Sequence, residues 1–371
     1  MRVTIVAGGV PSDRYPIHGI FEYTQAKAIA SAGIEVCYLA LDFRPLSVRR
    51  HWGLQRFNRD GIHIYHFSLP TGIYRRGLCF LQKLALLLFL KIEKEQGHQD
   101  ILHTHFYSIS AICALIPLKT GIKLVATEHS SKLNKPLTEI SNLDCKVART
   151  AYSNTAAVIA VSDCLALRLQ DNFKINATII GNVVNPEFAD IKHANHKGFN
   201  ILSVGRLIKG KRFDDLIRAF SSISHPDVTL TIIGAGPEQI ALQNLINELG
   251  LNSRVTLYGS ADSETIRKLM SEADLFALLS ESETFGVAYA EALTAGIPVI
   301  ATHCGGPEGF VTAENGIQVD VGDVNGVAKA IYSVIDGSIK FTEDKIRRSV
   351  SQFEPSVVAD KLIKLYNSVL R

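Results

Sequence analysis

The reading turns on Ala273-Asp-Leu-Phe-Ala-Leu-Leu279, then Glu283-Thr-Phe-Gly-Val-Ala-Tyr-Ala-Glu291, then Gly296-Ile-Pro-Val-Ile-Ala301. An apolar run, a loop with Gly286, a helix-favouring run over 288–295 and a second apolar run spell strand, loop, helix, strand. Such a unit leaves backbone N–H groups unpaired at the helix start, where an anion is well placed. Glu283 and Glu291 lie on either side of that point. Carboxylates beside an anion site do not serve as its counter-charge. They accept hydrogen bonds from hydroxyl groups carried by the anion, which suits a phosphate bearing a ribose or a sugar.

Working outward, the same alternation fills the chain. Strand-like runs fall at 3–7, 36–40, 63–67, 101–103, 123–127 and 157–161, then at 201–204, 229–233, 255–258, 275–279 and 298–301. Near-continuous apolar strands separated by helical patterns predict parallel sheets covered on both faces. Two such series in 371 residues predict an α/β protein of two doubly wound, Rossmann-like domains. The boundary is placed in Gly181-Asn-Val-Val-Asn-Pro186, giving residues 1–183 and 184–354. The tail, 355–371, has helical spacing of Val358, Leu362, Leu365 and Val369, with Pro355 at a helix start.

Composition is globular, with 47% apolar and 20% charged residues. Six cysteines are scattered without a C-x-x-C pair, which fits a reducing cytoplasm better than a disulfide framework or zinc site. Residues 1–9 read as a first buried strand rather than a signal peptide. The apolar run 84–90 is bracketed by Gln82-Lys83 and Lys91, too short to span a bilayer. Net charge is +6 over residues 1–190 and −3 over 191–371. Seven arginines (44, 49, 50, 56, 59, 75 and 76) face one acid, Asp60, between residues 44 and 76. This is either a solvated face or, with Arg49, Arg50, Arg75 and Arg76 outward, a patch for anionic lipid or a pyrophosphate-linked acceptor. Nucleic acid is disfavoured, because no recognition-helix or aromatic RNA-binding pattern accompanies the charge.

Several groups should follow strands and so reach a ligand beyond the strands' carboxyl ends. Gly205-Arg-Leu-Ile-Lys-Gly-Lys211 offers Arg206 and Lys211 to a diphosphate, with Lys209 and Arg212 as competitors. Gly234-Ala-Gly236-Pro begins like a dinucleotide fingerprint, but Gln239 replaces the third Gly, so it reads as a tight turn approaching a ligand. Pro16-Ile-His-Gly19 precedes a helix and by itself is a plain loop. His103-Thr-His105 has the spacing of metal ligands but no Cys or Asp to complete a site. His129, after Glu128, is the better polar candidate. Thr302-His-Cys-Gly-Gly-Pro-Glu308 gives another turn at a strand end. No D-x-D pair is available to hold a divalent metal.

Together these pieces resemble the retaining glycosyltransferases of family 4, which have the GT-B fold: two Rossmann-like domains facing a central cleft. The resemblance spans nearly the whole chain: Gly19, Glu128-His129, Val161-Ser162, Asn182-Val183, Gly205-Arg-Leu…Lys211, Gly234-x-Gly236-Pro, the Glu283…Glu291 pair around Phe285-Gly286, and Gly305-Gly-Pro-Glu308. The paired glutamates and the G-R-L-x3-K run are specific; the rest are weak alone. Arg212 stands where the family commonly has Gly, and Asn182-Val-Val-Asn185 departs from the usual linker wording. The resemblance implies that residues 184–354 bind a nucleotide-sugar, UDP-linked first and GDP-linked next. Arg206, Lys211 and Gly205 would hold the diphosphate, Glu291 the ribose, and Glu283 the sugar. Phe285, Gly286, Val287 and Gly234 would line the donor. Gly19 and His129 would approach from an acceptor-binding domain onto which the last helix packs. Catalysis would rest on His129, Glu283, Arg206 and Lys211, with no metal. The acceptor would be polyprenyl-linked or an oligosaccharide, in surface polysaccharide or glycoconjugate synthesis, with peripheral contact to the inner face of an anionic membrane. A sugar-nucleotide epimerase of the same fold and a non-catalytic binding module are the alternatives.

Overall fold

The computed structural model describes residues 1–70 and 77–371, so Arg75 and Arg76 lie outside the described residues. The chain divides into two compact units, Met1–Val183 with Pro355–Arg371, and Val184–Glu354.

The first unit is built on a sheet ordered β3-β4-β2-β1-β5-β6-β7-β8. Its strands are β1 (Arg2–Ala7), β2 (Glu35–Asp42), β3 (Gly53–Arg59), β4 (Ile62–Ser68), β5 (Ile101–His105), β6 (Lys123–Glu128), β7 (Ala157–Ala160) and β8 (Thr178–Ile179). The inner strands are buried on both faces, as helix-covered parallel strands must be, with His103, Thr104 and His105 of β5 as polar exceptions to their apolar make-up. The exception is β3, which pairs antiparallel with β4. Asp60 and Gly61 both have positive φ between them, the geometry of a two-residue hairpin turn. The Pro355–Leu370 helix lays Val358, Ala359, Leu362 and Tyr366 into the core that also holds Val3, Ile5, Ala26 and Ile29.

That hairpin region changes the meaning of the arginines. Asp42, fully buried at the end of β2, is bound by Arg44 through two nitrogens (3.0 and 2.7 Å) and lies 3.2 Å from Nε of Arg50. Burial raises the Asp42 carboxyl, but His66 at 3.8 Å and the hydrogen bonds from Arg44 outweigh it and hold the group well below the usual carboxylate range. The Arg50 side chain is only 5% exposed and its guanidinium stacks on Trp52. Arg50 therefore turns inward to neutralise Asp42 rather than outward to a ligand. Arg56 pairs with Glu95, and Arg59 donates to the Pro11 carbonyl. Arg49 stays exposed. The run of positive charge in the sequence is largely spent on internal partners.

The second unit carries β9 (Phe199–Val204), β10 (Val228–Ile233), β11 (Val255–Gly259), β12 (Leu275–Leu278), β13 (Val299–Thr302) and β14 (Gly316–Val319). All pairs are parallel, in the order β11-β10-β9-β12-β13-β14. This is the doubly wound order in which the chain reverses direction between its first and fourth strands, here β9 and β12. Ligands bind beyond the carboxyl ends at that reversal. Among the described residues no helix is long and apolar enough to cross a membrane.

Candidate active site

In the second unit the loops after β9, β12 and β13 are stitched together at the reversal point. The Glu281 N–H donates to the Gly210 carbonyl (2.8 Å), the Glu283 N–H to Cys304 (2.8 Å), and the Gly306 N–H to Glu283 (2.9 Å). Lys211 forms an ion pair and hydrogen bond with Oε1 of Glu283, which also accepts from the Ser280 hydroxyl at 2.8 Å. Lys211 and Glu283 are thus brought together, one from each side of the crevice. Arg206 is exposed, with no ion pair or hydrogen bond to its guanidinium among the described residues. Gly205 follows β9 directly.

The helix Val287–Thr294 begins at this point. Its first turn contains no acid and no side chain caps it, so its N-terminal N–H groups face the crevice without a side-chain partner. Gly286 precedes it at φ 90°, and a Cβ there would lie 2.8 Å from both Pro307 and Tyr289, so only glycine fits. Phe285 is buried in an aromatic cluster with Phe310 and Phe353, so its backbone, not its ring, is offered to a ligand. Glu291 lies one turn along from Val287, on the helix's partly exposed face. Among the described residues its carboxylate has no hydrogen bond or ion pair, and burial pushes it up to about 8. A carboxylate left unpaired in this setting gains most from hydroxyl donors.

The glycines read as ligand-approaching turns are crowded by backbone. A Cβ on Gly234 would lie 1.8 Å from the Gly205 carbonyl, and one on Gly236 2.1 Å from the Leu207 carbonyl. Their size lets the 205–211 loop pack down, held by Leu207 N–H to Ala235 (3.1 Å) and Glu238 N–H to Leu207 (3.1 Å). Gly19 behaves alike in the first unit: at φ 77° it starts the Ile20–Ser31 helix, and a Cβ would meet the Gly9 carbonyl at 2.4 Å.

In the first unit His129 follows β6. The buried Glu128 carboxylate builds its perch, accepting from the backbone N–H of His129 (3.0 Å), Ser130 (2.7 Å) and Tyr107 (2.8 Å) and from the Tyr152 hydroxyl (2.5 Å). Burial raises this carboxyl while the four donors oppose it. Nε2 of His129 lies 2.9 Å from Nδ1 of His105, and the rings stack; His105 stacks in turn on His103. His103 bonds the Tyr366 hydroxyl (2.6 Å) and Thr127 (2.7 Å). Burial lowers all three histidines, His103 to about 3 and His129 to about 4, so the stack is neutral near pH 7. The metal-ligand spacing of His103 and His105 is instead a buried relay of hydrogen bonds and stacked rings. His129, Ser130, Ser131 and Lys132 also line a cavity of about 470 Å3 together with Phe106, Tyr107 and Asp144. Asp144 accepts from the Tyr107 hydroxyl (2.6 Å) and lies 3.7 Å from Lys132. Ser280, Lys132 and Asp144 escaped sequence reading because single Ser, Lys and Asp residues in loops carry no spacing signal. His105 was legible as an oddity, not as the partner of His129.

Two α/β units with these sheet orders define the GT-B fold of glycosyltransferases, and solved structures share it. Sucrose-phosphate synthase from Thermosynechococcus elongatus superposes with a TM-score of 0.81 at 19% identity over 99% of this chain and 98% of that one. Anabaena HepE in complex with UDP gives 0.78 at 19% identity over 99% and 100%. The family model for glycosyl transferases group 1 matches residues 184–353, and that for glycosyltransferase family 4 matches residues 21–188. The chain belongs to these glycosyltransferases. It is 29% identical over 337 residues to N-acetyl-alpha-D-glucosaminyl L-malate synthase of Bacillus anthracis, covering 85% of this chain and 87% of that protein.

Proposed function

We propose that the protein transfers a sugar from a UDP-sugar to a hydroxyl of a saccharide or lipid-linked acceptor, with retention of configuration, in the cytoplasm. The observation that carries this reading is the second unit's crevice: a cation and carboxylate paired across the β9–β12 reversal, an uncapped helix N-terminus, and unpaired Glu291 on that helix. The N–H groups and the cations Arg206 and Lys211 suit a diphosphate, Glu291 a ribose diol, and Glu283 a sugar hydroxyl. UDP is favoured by the solved complex of HepE with UDP, and an N-acetylhexosamine by the name of the Bacillus anthracis relative. The hydroxyl-rich first-unit cavity beside His129 suits an acceptor.

In the step, the acceptor oxygen bonds to the anomeric carbon as the bond to the diphosphate breaks. The acceptor proton passes to an oxygen of the departing diphosphate on the same face. Arg206, Lys211 and the helix N-terminus stabilise the charge that develops there, in place of a divalent metal. His129, neutral, donates or accepts a hydrogen bond rather than supplying charge. Gly234 and Gly19 serve by letting their loops pack closely.

A panel of UDP-, GDP- and ADP-sugars, with saccharide and polyprenyl-phosphate acceptors, tests this by NMR of the products. A new glycoside with the donor's anomeric configuration, formed in EDTA, is expected. Conversion of donor to an epimer without acceptor would replace the reading with the epimerase one. An inverted product, or dependence on added metal, would refute the mechanism.

A further inference from the structure

We propose that Phe106 is a specificity-determining residue of the first-unit cavity, its ring stacking against a neutral pyranose of the acceptor. This rests on the reading of that cavity as the acceptor site. Among the described residues four non-glycines have positive φ: Asp60, Phe106, Lys174 and Arg212. Asp60 serves the β3–β4 hairpin turn, and Lys174 and Arg212 sit in the left-handed helical region at helix ends. Phe106 differs. Its φ of 66° and ψ of 138° lie outside that region as well, where a bulky side chain is strained. Backbone bonds hold it there. Its N–H donates to the Thr127 carbonyl (2.9 Å). Its own carbonyl accepts from the N–H groups of Ile109 (3.1 Å) and Ser110 (3.0 Å) and from the Ser110 hydroxyl (3.0 Å). A glycine would make all of these bonds without strain. The strain therefore secures something that only the ring supplies.

That ring lies 5.0 Å from the ring of His129, tilted by 40°, and lines the same cavity of about 470 Å3. The cavity is otherwise lined chiefly by polar residues, Ser108, Ser130, Ser131, Lys132 and Asp144 among them. An aromatic wall among hydroxyl groups and a charged pair matches a pyranose, which presents C–H bonds on its ring face and hydroxyls around its edge. Charge argues against the main competitor, an anionic acceptor group. Lys132 lies 3.7 Å from Asp144, and burial keeps His129 neutral near pH 7, so the lining carries no surplus of positive charge. Phe106 thus selects a sugar ring by contact, beside the histidine that bonds the reacting groups.

The test uses the full chain saturated with UDP. The probes are the methyl pyranosides of glucose, galactose, mannose and N-acetylglucosamine, with glycerol 3-phosphate as an anionic, ring-free comparison. Saturation-transfer NMR should show contact to the ring C–H protons of at least one pyranoside and none to glycerol 3-phosphate. Phe106→Ala and Phe106→Gly should each weaken that pyranoside about tenfold, while Phe106→Tyr, which keeps the ring, holds it within about threefold. UDP affinity should not change. Phe106→Ala keeps the strain and Phe106→Gly relieves it, so the Gly variant should melt about 2–4 °C above the Ala variant. With a UDP-sugar as donor, the loss in both should fall on acceptor KM more than on kcat. Wild-type pyranoside affinity in the Ala and Gly variants would overturn the proposal, and so would binding of glycerol 3-phosphate alone or of no probe. A Gly variant melting no higher than the Ala variant would overturn the strained placement. Pyranoside binding lost in these variants, with no transfer from any UDP-sugar, would retire the transferase reading and leave Phe106 in its role. Transfer with wild-type acceptor KM in every variant would do the reverse.

Discussion

The loops at the β9–β12 reversal of the second unit set a cation against a carboxylate, while the first unit's cavity beyond β5 and β6 sets a neutral histidine among hydroxyl groups and a Lys132–Asp144 pair. The second unit sets Lys211 against Glu283 and, among the described residues, leaves the side chains of Arg206 and Glu291 without a hydrogen bond or ion pair. The first unit commits Glu128 to four donors, cancels Asp42 with arginines, and presents a stack of neutral histidines. One architecture has thus been tuned for two ligand chemistries. Arg206, Lys211 and the helix N–H groups of one half suit an anion; the hydroxyl groups, His129 and the Lys132–Asp144 pair of the other suit a polar molecule.

The contrast is broken most severely by removing the charge. Lys211→Ala, and separately Arg206→Ala, should lower kcat about 10²–10³-fold, as loss of one preorganised donor to a developing anion does. Steady-state transfer rates at saturating acceptor check this, and rates within threefold of wild type would remove these residues from the mechanism. On the neutral side, His129→Ala should cost about 10²-fold in kcat, and His105→Phe, which removes only the partner of His129 Nε2, about tenfold. Because His129 is held neutral, neither effect should depend on pH between about 6 and 8.

Glu291 sharpens the contrast through pH. Below about pH 4.5, its ordinary value, this carboxyl is protonated in both folded and unfolded chains and adds nothing. As pH rises the unfolded chain loses the proton first, because burial holds the folded value near 8, so stability falls across that window. Glu291→Gln should therefore melt above wild type at pH 8, with the gap closing toward pH 4.5. UDP, whose ribose hydroxyls need an ionised acceptor, should bind wild type more tightly as pH rises from 7 to 9, and the variant without that trend. Thermal scans and titrations over pH test both, and a constant gap would show that Glu291 is ionised throughout.

Smaller effects lie in the scaffold. Tyr366→Phe strips His103 of its hydroxyl partner and should cost about 1–3 kcal/mol of unfolding free energy in urea titrations. Arg212 sits at φ 50°, a conformation that favours glycine, and is tied to Asp215 at 2.5 Å. Arg212→Gly relieves strain while losing that pair, so the net change should stay within about 1 kcal/mol.

Much of the second unit was legible because its signals are local. A strand, a glycine with positive φ and an unbroken apolar helix occupy a few adjacent positions, and Glu283, Gly286 and Glu291 fall on them. Arg212 was legible too as a departure from the resemblance, and its left-handed backbone, at φ 50°, is a conformation that favours glycine. The arginines were misleading because charge in a sequence does not reveal its partner. Asp42 is drawn to Arg50 by a turn that composition hides. The Asp60-Gly61 dipeptide was a readable hairpin signal for β3, obscured by the flanking arginines. The histidine relay joins residues 103, 105, 129 and 366, which only the folded sheet and the last helix bring together.

The central claim, that the second unit's crevice is a diphosphate site, is tested most directly by calorimetric titration of the full chain with UDP. Wild type should bind with a single site per chain. The Arg206→Ala/Lys211→Ala double variant should lose at least about 100-fold in affinity with an unchanged melting profile. Equal affinity in the folded double variant would contradict the account.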